Sequence, residues 1–251
     1  MALAQPKPAQ VADVRAYLSS ARLAPFDAAA GGDPADGLAL YLWNGEVSGA
    51  FYELLGVAEV VLRNAMHDAL TQRYGTYWYA ERNIFDDRTQ KAFATAWRQL
   101  RLPDGTSVRS VPPGKFVAEL TLCAWALLLD RGGYAGSGPQ RVHCSYDNTL
   151  WRTCLHRAFP RHRGPRQSVL LLVQTAQAVR NRVAHYEPLI WGLPDPADRV
   201  RRPRVPLTRV HDDVLRLVGL VSPDTHEWLS ATSRVPGLLT SPPVPAVGLR
   251  I

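Results

Sequence analysis

Ten apolar side chains, Phe51, Leu54, Leu55, Ala58, Val61, Leu62, Ala65, Met66, Ala69 and Leu70, recur at the three- and four-residue spacing of an α-helix. They trace one wide face along a helix expected over residues 46–74, and such a face has to be buried against other elements. No segment alternates β-branched and polar residues in the two-residue rhythm of a half-buried strand. There is no Gly-rich phosphate loop and no internal repeat of roughly 20–50 residues. The chain is therefore expected to be all-α, a helical bundle with additional helices, with 46–74 and 168–187 as its spine.

Shorter helical patterns fill in the rest. Val14, Tyr17, Leu18 and Ala21 mark a helix over 11–24, and Asp33-Pro34 leads from a loop into a short apolar helix that Asn44-Gly45 is expected to break. Gly75 is a suitable stop for the long helix. Further helices are expected over 87–100, 116–130, 147–159, 208–220 and 223–232, the apolar run 116–130 forming a central core helix. Residues 1–10 are expected to be flexible, 11–235 to form a single domain, and the Pro-rich 236–251 to be extended or disordered.

At 251 residues the chain can bury roughly 70–75% of its unfolded surface and needs no covalent staples. Cys123, Cys144 and Cys154 form no paired framework, which suggests a reducing cytoplasm. A zinc reading of His143-Cys144 with Cys154 and His156 is disfavoured: the spacing is unusual for ligand pairs, and residues two apart on a helix diverge. No apolar run reaches the roughly 18 residues of a membrane span, and MALAQPKPAQ has no signal-peptide core. No metal, cofactor or membrane is expected. The formal charge of +7 is mostly arginine excess and suits a polyanionic partner.

The string Arg180-Asn181-Arg182-Val183-Ala184-His185-Tyr186-Glu187-Pro188 closes the second spine helix. Arginine stays charged and grips phosphate oxygens bidentately. Histidine moves protons near neutral pH. Together they suit RNA cleavage without a metal, in which the ribose 2′-OH attacks the adjacent phosphate and the 5′-oxygen leaves. Five helical steps separate Arg180 from His185 by about 140° around the axis, whereas Asn181 and His185, four apart, are neighbours. Either a bend before Pro188 or a second copy of the chain must bring the pair together. On spacing alone, Arg180 and Asn181 as helix-capping or helix-bridging groups and His185 as a structural hydrogen-bonder account for the string better than a catalytic pair does.

The string, with Ala39 to Asn44, Glu59 to Asn64, Tyr74-Gly75 with Trp78, Gly114 to Leu120, and Leu150-Trp151 through Pro160 before it in order, resembles the Abi-like family of abortive-infection proteins. That family lies within the HEPN superfamily of α-helical RNases. The resemblance implies a HEPN-like bundle, a homodimer, and Arg180 and His185 in the catalytic roles, with Asn181 as the polar residue after the arginine. Glu59, Arg63 and Asn64 become supporting candidates, against the alternative of an exposed ion pair and a surface amide. Many members have a second histidine where this chain has Tyr186. Related toxins carry a modifiable tyrosine two residues after the histidine, so neutralisation by that modification is not expected here.

Arg157, Arg161, Arg163 and Arg166, with Arg182 in the motif, are candidates for tracking an RNA backbone. A second basic run is Arg199, Arg201, Arg202, Arg204 and Arg209. The expected function is a metal-independent endoribonuclease acting as a defence or toxin protein, with an RNA substrate and an antitoxin of protein or RNA. The alternatives are a non-catalytic RNA-binding or regulatory protein of the same fold, and a protein-interaction bundle.

Overall fold

The computed structural model describes residues 6–198, 200–201 and 203–251, the side chain of Arg82 excepted. The chain is mostly helical. In order come α1 (Pro8–Leu18), α2 (Ser20–Ala29), α3 (Pro34–Tyr74), α4 (Asp87–Gln99), α5 (Pro113–Glu119), α6 (Leu122–Leu128), α7 (Arg166–Ala184), α8 (Leu207–Val221), α9 (Pro223–Thr232) and α10 (Val235–Leu239). Two small antiparallel pairs interrupt them: β1 (Tyr134–Ala135) with β2 (Val142–His143), and β3 (Leu193–Pro194) with β4 (Arg204–Val205).

The expected break at Asn44-Gly45 does not occur, and α3 runs for 41 residues. Its start is capped by Asp33, whose Oδ1 accepts from the Ala35 and Asp36 amides at 2.8 and 3.0 Å. Gly45 costs about 1 kcal/mol relative to alanine in a helix, which local packing overrides. Asn44 is buried, and its Oδ1 accepts from the Leu189 amide at 2.7 Å, so the amide holds a tertiary contact instead of turning the chain. Gly75, at φ +84°, ends the helix as expected. The expected helix over 11–24 is two helices, divided at Ser19 (φ +70°), whose hydroxyl caps α2.

The run 116–130 is likewise two short helices. Leu120 is extended, and Thr121 caps α6 through the Ala124 amide at 3.4 Å. Residues 147–159 form a π-turn over Asp147–Trp151 and a 3-10 turn over Leu155–Ala158, not one α-helix.

The chain divides into two compact units whose boundaries fall inside α3, α7, α8 and α9, where the sequence suggested one span. The first holds residues 1–56, 178–214 and 228–251. Leu23, Phe26, Trp43, Val47, Phe51, Leu54, Leu189, Ile190, Val210 and Leu239 are in its core. Phe26 meets Tyr41 edge-on at 5.4 Å, and Trp43 Nε1 donates to Leu238 O at 3.1 Å. The stretch 236–251 is in contact with the rest of this unit. Leu239 is buried in α10, the Val247 amide donates to Ala29 O at 3.0 Å, and the Arg250 amide donates to Ile190 O at 2.9 Å.

The second unit holds residues 57–177 and 215–227. Trp78 is its aromatic centre, meeting Phe85, Phe93 and Trp125 at 5.6–6.1 Å between ring centroids. Beside it Asp86 is fully buried and caps α4, its Oδ1 accepting from the Thr89 amide at 2.9 Å. The Tyr146 hydroxyl accepts from the Asp86 amide at 2.8 Å and donates to Oδ1 at 3.0 Å. Arg88 closes the other oxygen at 2.7 Å.

Two histidines are expected to make stability pH-dependent. His67 Nδ1 accepts from Trp78 Nε1 at 3.0 Å in the second unit. His211 is buried in the first, with Nε2 3.0 Å from Ser233 Oγ and Nδ1 3.4 Å from Asp212. Burial pushes both rings below the ordinary histidine value, against the opposing pull of Asp68 and Asp212. The unfolded chain then binds protons first. Their contribution is complete above about pH 6.5 and is lost as pH falls through the folded values. The thermal midpoint is expected to drop between about pH 7 and pH 5, and less steeply in a His67→Gln, His211→Gln double variant. Identical slopes would remove these histidines as the cause.

Candidate nucleic-acid site at the end of α7

The motif occupies the last turn of α7 and its exit, in the first unit. The helix is not bent. The His185 amide still bonds Asn181 O at 3.0 Å, so regular geometry extends to His185 and Arg180 points about 140° away from it. The chain then turns sharply. Tyr186 adopts the left-handed conformation at φ +55°, its amide donates to Val183 O at 3.2 Å, and the Glu187 amide donates to Arg182 O at 2.8 Å. These two bonds are the reversed pair of a Schellman closure, with His185 as the C-cap and Pro188 preventing continuation.

A position that normally takes glycine is filled by tyrosine, which costs roughly 1–2 kcal/mol. Two arginines hold it there. Arg22 Nη1 donates to Tyr186 O at 2.7 Å. Arg182 Nη1 donates to Pro188 O at 3.0 Å and lies 3.3 Å from Glu187. Tyr186→Gly is expected to raise stability by about 1 kcal/mol in urea unfolding. A lower unfolding midpoint would mean that the tyrosine ring contributes more than the strain costs.

Arg180, Asn181 and His185 are exposed, and none makes a side-chain hydrogen bond or ion pair among the described residues. Arg182 differs. It is partly buried, burial pushes its guanidinium below the usual arginine value, and it is engaged in holding the helix end, so its expected place on RNA gives way to a structural one. Arg166 is also corrected. It is only 9% exposed, 2.6 Å from Asp147, and bonded to Leu129 O, all within the second unit. Arg157, Arg161 and Arg163 are exposed in the second unit, and Arg163 bonds only local carbonyls. Glu59, Arg63 and Asn64 also belong to that unit, where Glu59 and Arg63 form no ion pair among the described residues.

In the second basic run, Arg204 donates to Gly192 O at 2.9 Å and Arg209 lies 3.9 Å from Asp213. Arg201 is exposed, and Arg199 and Arg202 lie outside the described residues.

Next to the motif is a groove of about 540 Å3 that the sequence did not announce. Tyr41, Asn44, Gly45, Ser48, Gly49 and Tyr52 of α3 line one side, and Val183, Ala184 and Tyr186 the other. Tyr41, Gly45, Gly49 and Tyr52 stand four, four and three residues apart, one ridge of a continuous helix. Reading Asn44-Gly45 as a break hid that ridge.

Other reactive clusters do not form a competing site. His211 lies between Asp212 and Ser233, but the Asp212 side chain is 78% exposed and adjacent in sequence, so the arrangement ties α8 to the chain after α9. Cys144 and Cys154 are buried, and no group of three metal-binding side chains comes together among the described residues. Among those residues no helix is long and apolar enough to cross a membrane. Comparison with protein-family models, curated proteins and solved structures finds no match to this chain.

Proposed function

We propose that the chain is a metal-independent endoribonuclease of the abortive-infection or toxin type, with a HEPN-like site completed by a second copy in the cytoplasm. The carrying observation is the division of labour in one helix turn. Arg182 is spent on the helix end, while Arg180, Asn181 and His185 stand exposed, with no side-chain hydrogen bond or ion pair among the described residues. The resemblance to Abi-like proteins, resting on the motif and the ordered pieces before it, supplies the reaction class.

Arg180 grips the non-bridging oxygens of the scissile phosphate. The 2′-oxygen attacks phosphorus, losing its proton, and the P–O5′ bond breaks as O5′ gains one. His185 transfers one of these protons, and the products are a 2′,3′-cyclic phosphate and a 5′-hydroxyl. Because Arg180 and His185 diverge on one helix, each faces its counterpart on a two-fold-related copy. An antitoxin of protein or RNA would act by covering this helix end.

The same divergence favours a second reading, in which one copy binds RNA through both side chains without cutting it. The experiment that separates them is cleavage of total RNA in EDTA by wild type and His185→Ala, with end-group analysis. Cyclic phosphate ends lost in the variant support the nuclease. Salt-sensitive binding without cleavage supports the second reading, and equal cleavage by both proteins rules out the role of His185.

A further inference from the structure

We infer that the groove between α3 and the end of α7 is a subsite for one unpaired nucleobase of the RNA strand, an inference that rests on the nuclease reading. Four observations point to that occupant.

The groove lining is uncharged and aromatic. Tyr52 and Tyr186 are 68% and 79% exposed and pair with no other ring among the described residues, leaving two π-faces at the mouth. Base stacking on such faces is a general and sequence-tolerant source of affinity for single strands. The α3 side is low. A Cβ built at Gly45 or Gly49 meets nothing within 4 Å, so a flat ring can approach the helix backbone there. The volume of about 540 Å3 falls in the range of roughly 300–1,000 Å3 typical of small-ligand sites.

The rim carries the matching charge. Arg180 lies three and four residues before Val183 and Ala184, on the same helix face as these lining residues. Arg22 holds the carbonyl of Tyr186 at the mouth. Among the described residues neither guanidinium has a carboxylate partner, and no acidic side chain lines the groove. An aromatic slot with the unengaged Arg180 beside it and no carboxylate in its lining fits a nucleotide better than an apolar peptide. His185, about 140° round the helix from Arg180, faces the second copy as in the proposed site.

The test uses Gly49→Leu, which fills the groove while raising helix propensity, so the variant folds. Two probes are titrated at low salt by fluorescence anisotropy: an eight-nucleotide oligoadenylate, and a ribose-phosphate chain of equal length without bases. Wild type is expected to bind oligoadenylate at least about tenfold more tightly than the abasic chain. Gly49→Leu and Tyr52→Ala are expected to lose that preference, and Tyr52→Phe to keep it. Equal binding of both probes by wild type overturns the subsite while leaving the nuclease reading intact. Binding of neither probe removes the subsite and the RNA reading together. A change in sedimentation of Gly49→Leu, with base preference intact, overturns the subsite in favour of an interface between copies.

Discussion

His185→Ala is expected to lower RNA cleavage by about 10²–10⁴-fold, the usual contribution of a positioned proton-transfer group. Arg180→Ala is expected to cost about 10²–10³-fold, because in the proposed reaction it removes the charge that would stabilise the phosphoryl oxygens. The informative measurement is on the two together. With the pair about 140° apart along a regular helix, a site shared between two chains is the simpler arrangement. In a two-fold dimer, co-expressed Arg180→Ala and His185→Ala chains restore about a quarter of wild-type activity: half of the dimers are mixed, and each has one intact pair of two. An inactive mixture would place each site within one chain or end the nuclease assignment.

Asp86→Ala is expected to destabilise the second unit by about 3–5 kcal/mol, the usual consequence of breaking a buried charged network by removing one member. The carboxylate is fully buried beneath donors from Thr89, Tyr146 and Arg88. Burial alone would push its carboxyl up; the Thr89 amide and hydroxyl, Arg88 and Tyr146 together outweigh it and hold it below the ordinary value. Its contribution is present above the unfolded carboxylate value and is lost as pH falls through the folded one. Alanine also leaves the Arg88 guanidinium and the Tyr146 hydroxyl without their acceptor. Urea unfolding followed by tryptophan fluorescence, to which Trp78 and Trp125 of this unit contribute, reads this; a stability within about 0.5 kcal/mol of wild type would show that solvent replaces the carboxylate.

The helical class was legible because the apolar faces of α3, α7 and α8 repeat at helical spacing over several turns. Local stops were less legible. Asn44-Gly45 looks like a turn, yet Asn44 is bonded to Leu189, a partner 145 residues away that no local pattern announces. Conversely, the Thr121 cap is a local signal masked by the apolar run on both sides of it. The motif was legible on its helix end, but Tyr186 in a left-handed cap was not, since that position ordinarily signals itself by glycine. Arg166 and Arg182 read as free cations because sequence shows charge and not the carbonyls and carboxylates that engage it.

The motif-bearing unit is made from both ends of the chain. Trp43 is bonded to Leu238 across 195 positions, and Arg22 to Tyr186 across 164. The second unit, by contrast, draws most of its residues from the unbroken stretch 57–177. Contacts of such long separation form late, because their loops must close first. During synthesis from the N-terminus, Arg180 and His185 thus leave the ribosome before residues 228–251, which complete their unit, have been made. The surroundings of Arg180 and His185 therefore depend on segments made both long before and after them, so the motif gains its final setting later than the second unit does.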